Sequence, residues 1–168
     1  MLENQSNLNT KVDDSASNKT LRVENMFDRI APKYDFFNRL FSLRIDLLWR
    51  KNLVNWMQSD DPKQILDVAT GTGELVIALW KKFGGKITAV DLSQEMLNLA
   101  DKKIKELGAD ITIQKANAEN LPFESNKFDA VSVGFGVRNF ENLEKGLSEL
   151  RRVAKEDGNV YILEFSKF

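Results

Sequence analysis

The run Ile65-Leu66-Asp67-Val68-Ala69-Thr70-Gly71-Thr72-Gly73-Glu74 reads as a buried strand that breaks at two glycines and restarts as a helix. Leu75, Ala78 and Leu79 share one face of that helix. Glu74 lies in its first turn, where the helix dipole favours an acid. Strand, glycine turn and helix make the opening unit of a nucleotide-binding α/β fold. The glycines serve a ligand that approaches the backbone closely, or a turn that demands positive φ.

The ligand class follows from what surrounds the glycines. A dinucleotide fingerprint, G-x-G-x-x-G, needs a small residue three positions after the second glycine, so that helix and strand pack closely beneath a pyrophosphate. Here that position is Val76. Asp67 instead makes the pattern D-x-x-x-G-x-G, with an acid ahead of the loop and no phosphate-specific glycine behind it. This suits a ligand with a cationic amino-acid end and no phosphate, as S-adenosyl-L-methionine has. A second strand, Lys86 to Val90, ends in Asp91, where an acid can bond ribose hydroxyls. Each half alone is weak, because glycine-rich turns also serve structure only. Together they favour the cofactor.

Composition narrows the remaining chemistry. The chain has 168 residues, enough for one domain with a real core. It carries 24 basic and 25 acidic side chains, a net charge of −1, so no overall field points to nucleic acid. Cysteine and histidine are absent, which removes disulfides, thiol nucleophiles, Cys/His zinc sites and the usual general base. No tight acid cluster suggests a carboxylate-only metal site. No apolar run reaches a membrane span, and no signal-peptide core opens the chain. A cytoplasmic protein is expected.

Three segments are expected. Residues 1–20 are polar and aperiodic and read as a disordered tail. Residues 21–60 read as a helical cover: Val23, Met26, Phe27 and Ile30 recur at helical spacing until Pro32 breaks the pattern, and an aromatic stretch follows. Its rings can simply cover a sheet face; alternatively Phe36, Phe37, Leu40 and Phe41 wall a pocket for a greasy substrate or rest on a bilayer. Residues 61–168 read as the core. Ser93 is an N-cap for a helix with Met96, Leu97, Ala100, Ile104 and Leu107 on its buried side. A third strand, Ile111 to Lys115, leads into a turn where the Asn117 amide can bond an adenine edge or serve the turn alone. Phe128 to Gly134 is a fourth strand. A helix with Leu143, Leu147, Leu150, Arg151 and Val153 about a turn apart follows, and Asp157-Gly158 turns into a fifth strand, Val160 to Leu163. The alternation predicts an α/β, Rossmann-like, mostly parallel doubly wound sheet.

Five further runs carry a resemblance: Ala31-Pro32-Lys33-Tyr34-Asp35 closing at Asn38, the loop Gly71-Thr72-Gly73, Asn117-Ala118-Glu119, Phe135-Gly136-Val137-Arg138-Asn139 and Leu163-Glu164-Phe165-Ser166-Lys167. From Val23 to Lys167 the sequence resembles the UbiE/MenG family, the C-methyltransferases of menaquinone and ubiquinone biosynthesis. Asp46 stands where that family usually has histidine, Arg44 where it has glycine, and Gly134 where serine is frequent. Family members also continue past a fifth strand into a helix and two more strands, so the resemblance implies a class I methyltransferase core short of its C-terminal strands.

The resemblance implies methyl transfer from a sulfonium to a ring carbon of a prenylated quinol, demethylmenaquinol to menaquinol. It assigns Asp67, Gly71, Thr72, Gly73, Asp91, Asn117 and Ala118 to the cofactor. With no histidine present, Arg138 is the candidate for stabilising the quinol phenolate, with Asn139 and Tyr34 orienting the ring. On local sequence alone Arg138 is as readily an ion-pair residue. Peripheral contact with the inner face of the membrane and homodimerisation both remain open. The rivals are an NAD-dependent oxidoreductase, disfavoured by Val76, a methyltransferase of another small molecule, and a cofactor-binding fragment without turnover.

Overall fold

Strands alternating with helices return each strand to the sheet in the same direction. In the computed structural model, which describes residues 19–32, 34 and 45–165, all four strand pairs are parallel. The strands are β1 (Gln64–Val68), β2 (Lys86–Asp91), β3 (Ile111–Lys115), β4 (Phe128–Gly134) and β5 (Ala154–Leu163), in the order β3-β2-β1-β4-β5. This is the expected α/β, doubly wound architecture. The order reverses between β1 and β4, and the carboxyl ends of strands at such a switch point open a ligand crevice.

Helix α1 covers residues 19–32. It is followed by α2 (Ile45–Trp56), α3 (Glu74–Phe83), α4 (Gln94–Glu106) and α5 (Leu143–Val153). Lys19 and Thr20, read from sequence as the end of a tail, are helical. Pairing alternation divides the core into two layers. Ile65, Ile87 and Ala130 pack with Leu53, Val54, Leu75, Leu79 and Ile104 of α2, α3 and α4. Leu66, Val68, Val131 and Val133 pack with Leu150 and Val153 of α5 on the other face. Ser93 Oγ accepts the Met96 N–H at 3.1 Å and caps α4 as expected, and Asn142 does the same for α5 through Lys145 N–H. Each cap contributes about 1 kcal/mol.

Two expectations change. Leu107, expected on the buried side of α4, is exposed at its C-cap; on α5, Gly146, Leu150 and Val153 form the buried side. The turn expected at Asp157-Gly158 is absorbed into β5: Phe128 pairs with Ala154, but Ala130 pairs with Asn159, so the intervening residues bulge out of register. No helix links β3 to β4. Arg152 of α5 holds that connection instead, donating to Phe123 O at 2.7 Å and Leu121 O at 3.0 Å, while Glu149 accepts the Leu121 N–H at 2.7 Å. Among the described residues no helix is long and apolar enough to cross a membrane.

Candidate functional site

The crevice at the strand ends holds about 720 Å³ of empty space. Each strand of the β3-β2-β1-β4 run delivers a residue to it: Ala69 follows β1, Asp91 ends β2, Asn117 and Ala118 follow β3, and Gly134 ends β4. Asp91 is nearly buried. Its carboxylate accepts the Gly71 N–H at 2.8 Å and the Ser93 N–H at 2.9 Å. Burial raises its pKa above the ordinary carboxylate value, against the pull of those N–H donors. Two oxygens with about four lone-pair sites still leave acceptor capacity on the pocket side. Asn117 Oδ1 accepts the Glu119 N–H at 2.9 Å, which shapes the turn and occupies the amide oxygen, not its NH₂ group.

The two glycines of the loop do different work. Gly71 lies at φ +56°, and a Cβ added there meets no protein atom within 4 Å; the space it would take belongs to the crevice it lines. Gly73 lies at φ +84°, lines neither space, and would bring a Cβ to 3.1 Å from Ala100 Cβ. Its smallness lets α3 close on α4. Val76, at the third-glycine position, is fully buried in the core between these elements.

Asp67 faces a second space of about 340 Å³, which shares Gly71, Ala69, Gly134 and Tyr34 with the first. Strand alternation puts Asp67 on the same face as Ile65, toward α2, beside its register partner Ser132. Ser132 and Thr70 donate their hydroxyls to it at 2.6 and 2.7 Å. Complete burial pushes its pKa up to about 6, against those two hydrogen bonds and the nearby Arg50 charge. Thr72 lines this second space. Arg50 does too, and sequence reasoning passed over it because a mid-helix arginine beside Trp49 carries no motif signal.

Helix α1 roofs the larger space with Thr20, Val23 and Phe27. Polar contacts fix it on three sides. Lys19 Nζ donates to Phe140 O at 2.9 Å, Glu24 pairs with Lys115 at 2.5 Å, and Asp28 accepts from Ser93 Oγ at 2.5 Å. Tyr34 lines both spaces and packs edge-on against Phe27, with ring centroids 6.1 Å apart. The expected apolar wall of Phe36, Phe37, Leu40 and Phe41 lies outside the described residues.

Asn139 lines the larger space; Arg138 does not. The Arg138 guanidinium pairs with Glu164 at 3.1 Å, stacks 5.0 Å above the Phe165 ring, and is half exposed. Two non-glycine residues of the crevice, Ala69 at φ +54° and Phe135 at φ +59°, hold left-handed backbone. Such conformations cost about 1–2 kcal/mol each and cluster where function demands a fixed shape. No residue-type pattern announces them. Among the described residues no group of three or more acids, histidines or cysteines is placed to hold a metal.

Residues 14–168 match the ubiE/COQ5 methyltransferase family. A demethylmenaquinone methyltransferase of Bacteroides fragilis is 43% identical over 151 residues, covering 88% of this chain and 62% of the relative. A ubiquinone/menaquinone biosynthesis C-methyltransferase UbiE of Geotalea uraniireducens is 43% identical over 149 residues, covering 86% of this chain and 63% of the relative. The chain therefore spans about three fifths of the length of the curated relatives it matches. A crystal structure of a SAM dependent methyltransferase from Aquifex aeolicus aligns with a TM-score of 0.59 at 32% identity, over 62% of this chain and 57% of that one.

Proposed function

Because the chain belongs to the ubiE/COQ5 methyltransferase family, we propose that it forms the cofactor-binding part of an S-adenosyl-L-methionine-dependent C-methyltransferase. Its substrate is a prenylated quinol, converted from demethylmenaquinol to menaquinol. The observation that carries this reading is one space shared by the Asp91 carboxylate, the Asn117 amide and the bare Gly71 backbone. These groups suit ribose hydroxyls, an adenine edge and a close backbone approach. Val76, fully buried, argues against a pyrophosphate beneath the same loop.

When bound, the cofactor supplies an electrophilic methyl group. The chain's own part is to bind, align and exclude water. Asp91 takes the ribose, Asn117 and Ala118 the adenine edge, and Asp67 the amino-acid end. Val23 and Phe27 of α1 keep water from the roof. Tyr34 and Asn139 orient the quinol ring, and Arg138 exchanges Glu164 for the quinol phenolate, whose charge it stabilises. A prenylated substrate also places the protein at the inner face of the cytoplasmic membrane by peripheral contact.

Calorimetric titration of the chain with S-adenosylhomocysteine and with NAD tests the cofactor. Saturable binding of the first and none of the second is expected, and the reverse result overturns the proposal. A methyl-transfer assay with a demethylmenaquinol analogue tests the substrate.

A further inference from the structure

The second space, which shares Gly71 but not Asn117 with the first, is lined by two acids and one cation. The acids are Glu74, which pairs with Lys103 at 2.8 Å, and Asp67, the candidate for the cofactor's amino group. The cation is Arg50 of α2, whose side chain is only 13% exposed. Arg50 Nη1 donates to Asp46 four residues earlier, and the guanidinium lies 5.3 Å from the centroid of the Phe135 ring. These contacts fix the group in place. Among the described residues its Nε and Nη2 donors have no protein acceptor, and no buried side-chain nitrogen or oxygen lacks a hydrogen-bond partner. Those N–H groups are therefore open to solvent, and Arg50 lines both this space and an open groove along α2 and α3.

We infer that Arg50 binds the α-carboxylate of the cofactor's amino-acid end, across the second space from Asp67. The inference rests on the cofactor reading above and adds a specificity residue to it. A ligand lying along Gly71 with its ribose at Asp91 runs directly into this space, since Gly71 and Tyr34 wall both. A zwitterionic amino-acid end brings one charge of each sign there. Without Arg50 the space would offer the carboxylate only the acids Asp67 and Glu74. The planar guanidinium, with one edge on Asp46, presents another edge to a carboxylate. The influence of the Arg50 charge on Asp67, which favours the ionised acid, agrees with their closeness. Asp46, standing where relatives of the resembled family have histidine, becomes the residue that positions Arg50.

The test uses two ligands on wild-type protein and two variants. S-adenosylhomocysteine carries amine and carboxylate; its decarboxylated analogue keeps the amine and lacks only the carboxylate. Wild-type protein is expected to bind the decarboxylated analogue at least about tenfold more weakly, the size of one charge-assisted hydrogen bond. In Arg50→Gln the two ligands should bind within about threefold of each other, with the analogue's own affinity little changed. The double variant Asp46→Asn/Arg50→Gln removes the carboxylate that the single variant orphans, and should show the same loss of discrimination. Wild-type discrimination below twofold overturns the inference even where the variants fail to fold. Full discrimination retained in a folded variant also overturns it. If wild-type protein binds neither ligand, the cofactor reading fails, and this inference with it; if it binds both alike, the inference alone fails.

Discussion

Gly71 donates its backbone N–H to Asp91 Oδ2 at 2.8 Å, so the glycine turn after β1 and the acid ending β2 form one unit. The same carboxylate accepts the Ser93 N–H at 2.9 Å, at the start of α4. A ligand bonded to Asp91 thus meets a group already oriented by two backbone donors, and little ordering remains at binding.

Asp91→Ala removes the proposed acceptor for the ribose hydroxyls together with this tie. A charge-assisted hydrogen bond is worth about 1.5–3 kcal/mol, so S-adenosylhomocysteine affinity should fall roughly 10- to 150-fold by calorimetry. A change below twofold sinks the ribose assignment. Melting should also move down, because the Gly71 and Ser93 N–H groups lose their acceptor.

The loop glycines should separate experimentally. Gly71→Ala adds a Cβ into open crevice space at φ +56°, so it should weaken the cofactor much more than the fold. The strain itself is about 1–2 kcal/mol. Gly73→Ala drives its Cβ against Ala100 Cβ at 3.1 Å and should mainly lower thermal stability. Adding Ala100→Gly to Gly73→Ala should recover part of that loss. Equal behaviour of the two single variants in calorimetry and melting would refute the division.

Most of the frame was legible because it depends on local pattern. The strands from Gln64, Lys86, Ile111 and Phe128 follow from apolar runs bounded by glycine and polar turns, and the Ser93 cap from its spacing to the α4 stripe. The crevice followed from the positions of Gly71, Asp91 and Asn117 at strand ends. What escaped notice depends on tertiary contact. Arg152 substituting for a helix beneath Leu121 and Phe123 joins residues about thirty positions apart. Arg50 enters the site only because α2 lies on the Asp67 face of the sheet. The left-handed Ala69 and Phe135 are set by their neighbours; neither residue type prefers that conformation. Asp157-Gly158 lies in the stretch 155–158 that has no partner on β4, and regular pairing resumes at Asn159, so the turn chemistry shows as a bulge within β5.

Asp67 should be a stability liability at neutral pH. Its folded pKa is raised from 3.8 to about 6, so the native state favours the protonated acid more than the unfolded chain does. That contribution is fully present below pH 3.8 and is lost as pH rises through about 6. At 1.36 kcal/mol per tenfold change, the loss at pH 7.5 is up to about 3 kcal/mol. Asp67→Asn keeps the shape, and the Thr70 and Ser132 hydroxyls can each donate or accept. It should therefore raise the melting temperature at pH 7.5, with the gain shrinking toward pH 4, while cofactor affinity falls. A variant less stable than wild type at pH 7.5 would contradict this account.

The last prediction concerns Arg138, which stands outside the larger space although its neighbours Gly136 and Asn139 line it. Its guanidinium is held by Glu164 at 3.1 Å and by the Phe165 ring, and its backbone N–H lies 3.4 Å from the same glutamate. A half-exposed ion pair of this kind contributes little to stability, about 0–1 kcal/mol. Substituting it for stability alone should therefore have a small effect. If Arg138 instead serves the quinol phenolate, Arg138→Ala should leave S-adenosylhomocysteine affinity and melting nearly unchanged. Methyl transfer should then drop by roughly 10²-fold, the scale of losing one donor to a developing oxyanion. Glu164→Gln keeps the shape but removes the competing charge, so it should leave methyl transfer undiminished. Transfer assays with a demethylmenaquinol analogue, paired with calorimetry on the same variants, read both effects. Undiminished transfer in Arg138→Ala would make the pair with Glu164 a surface contact only.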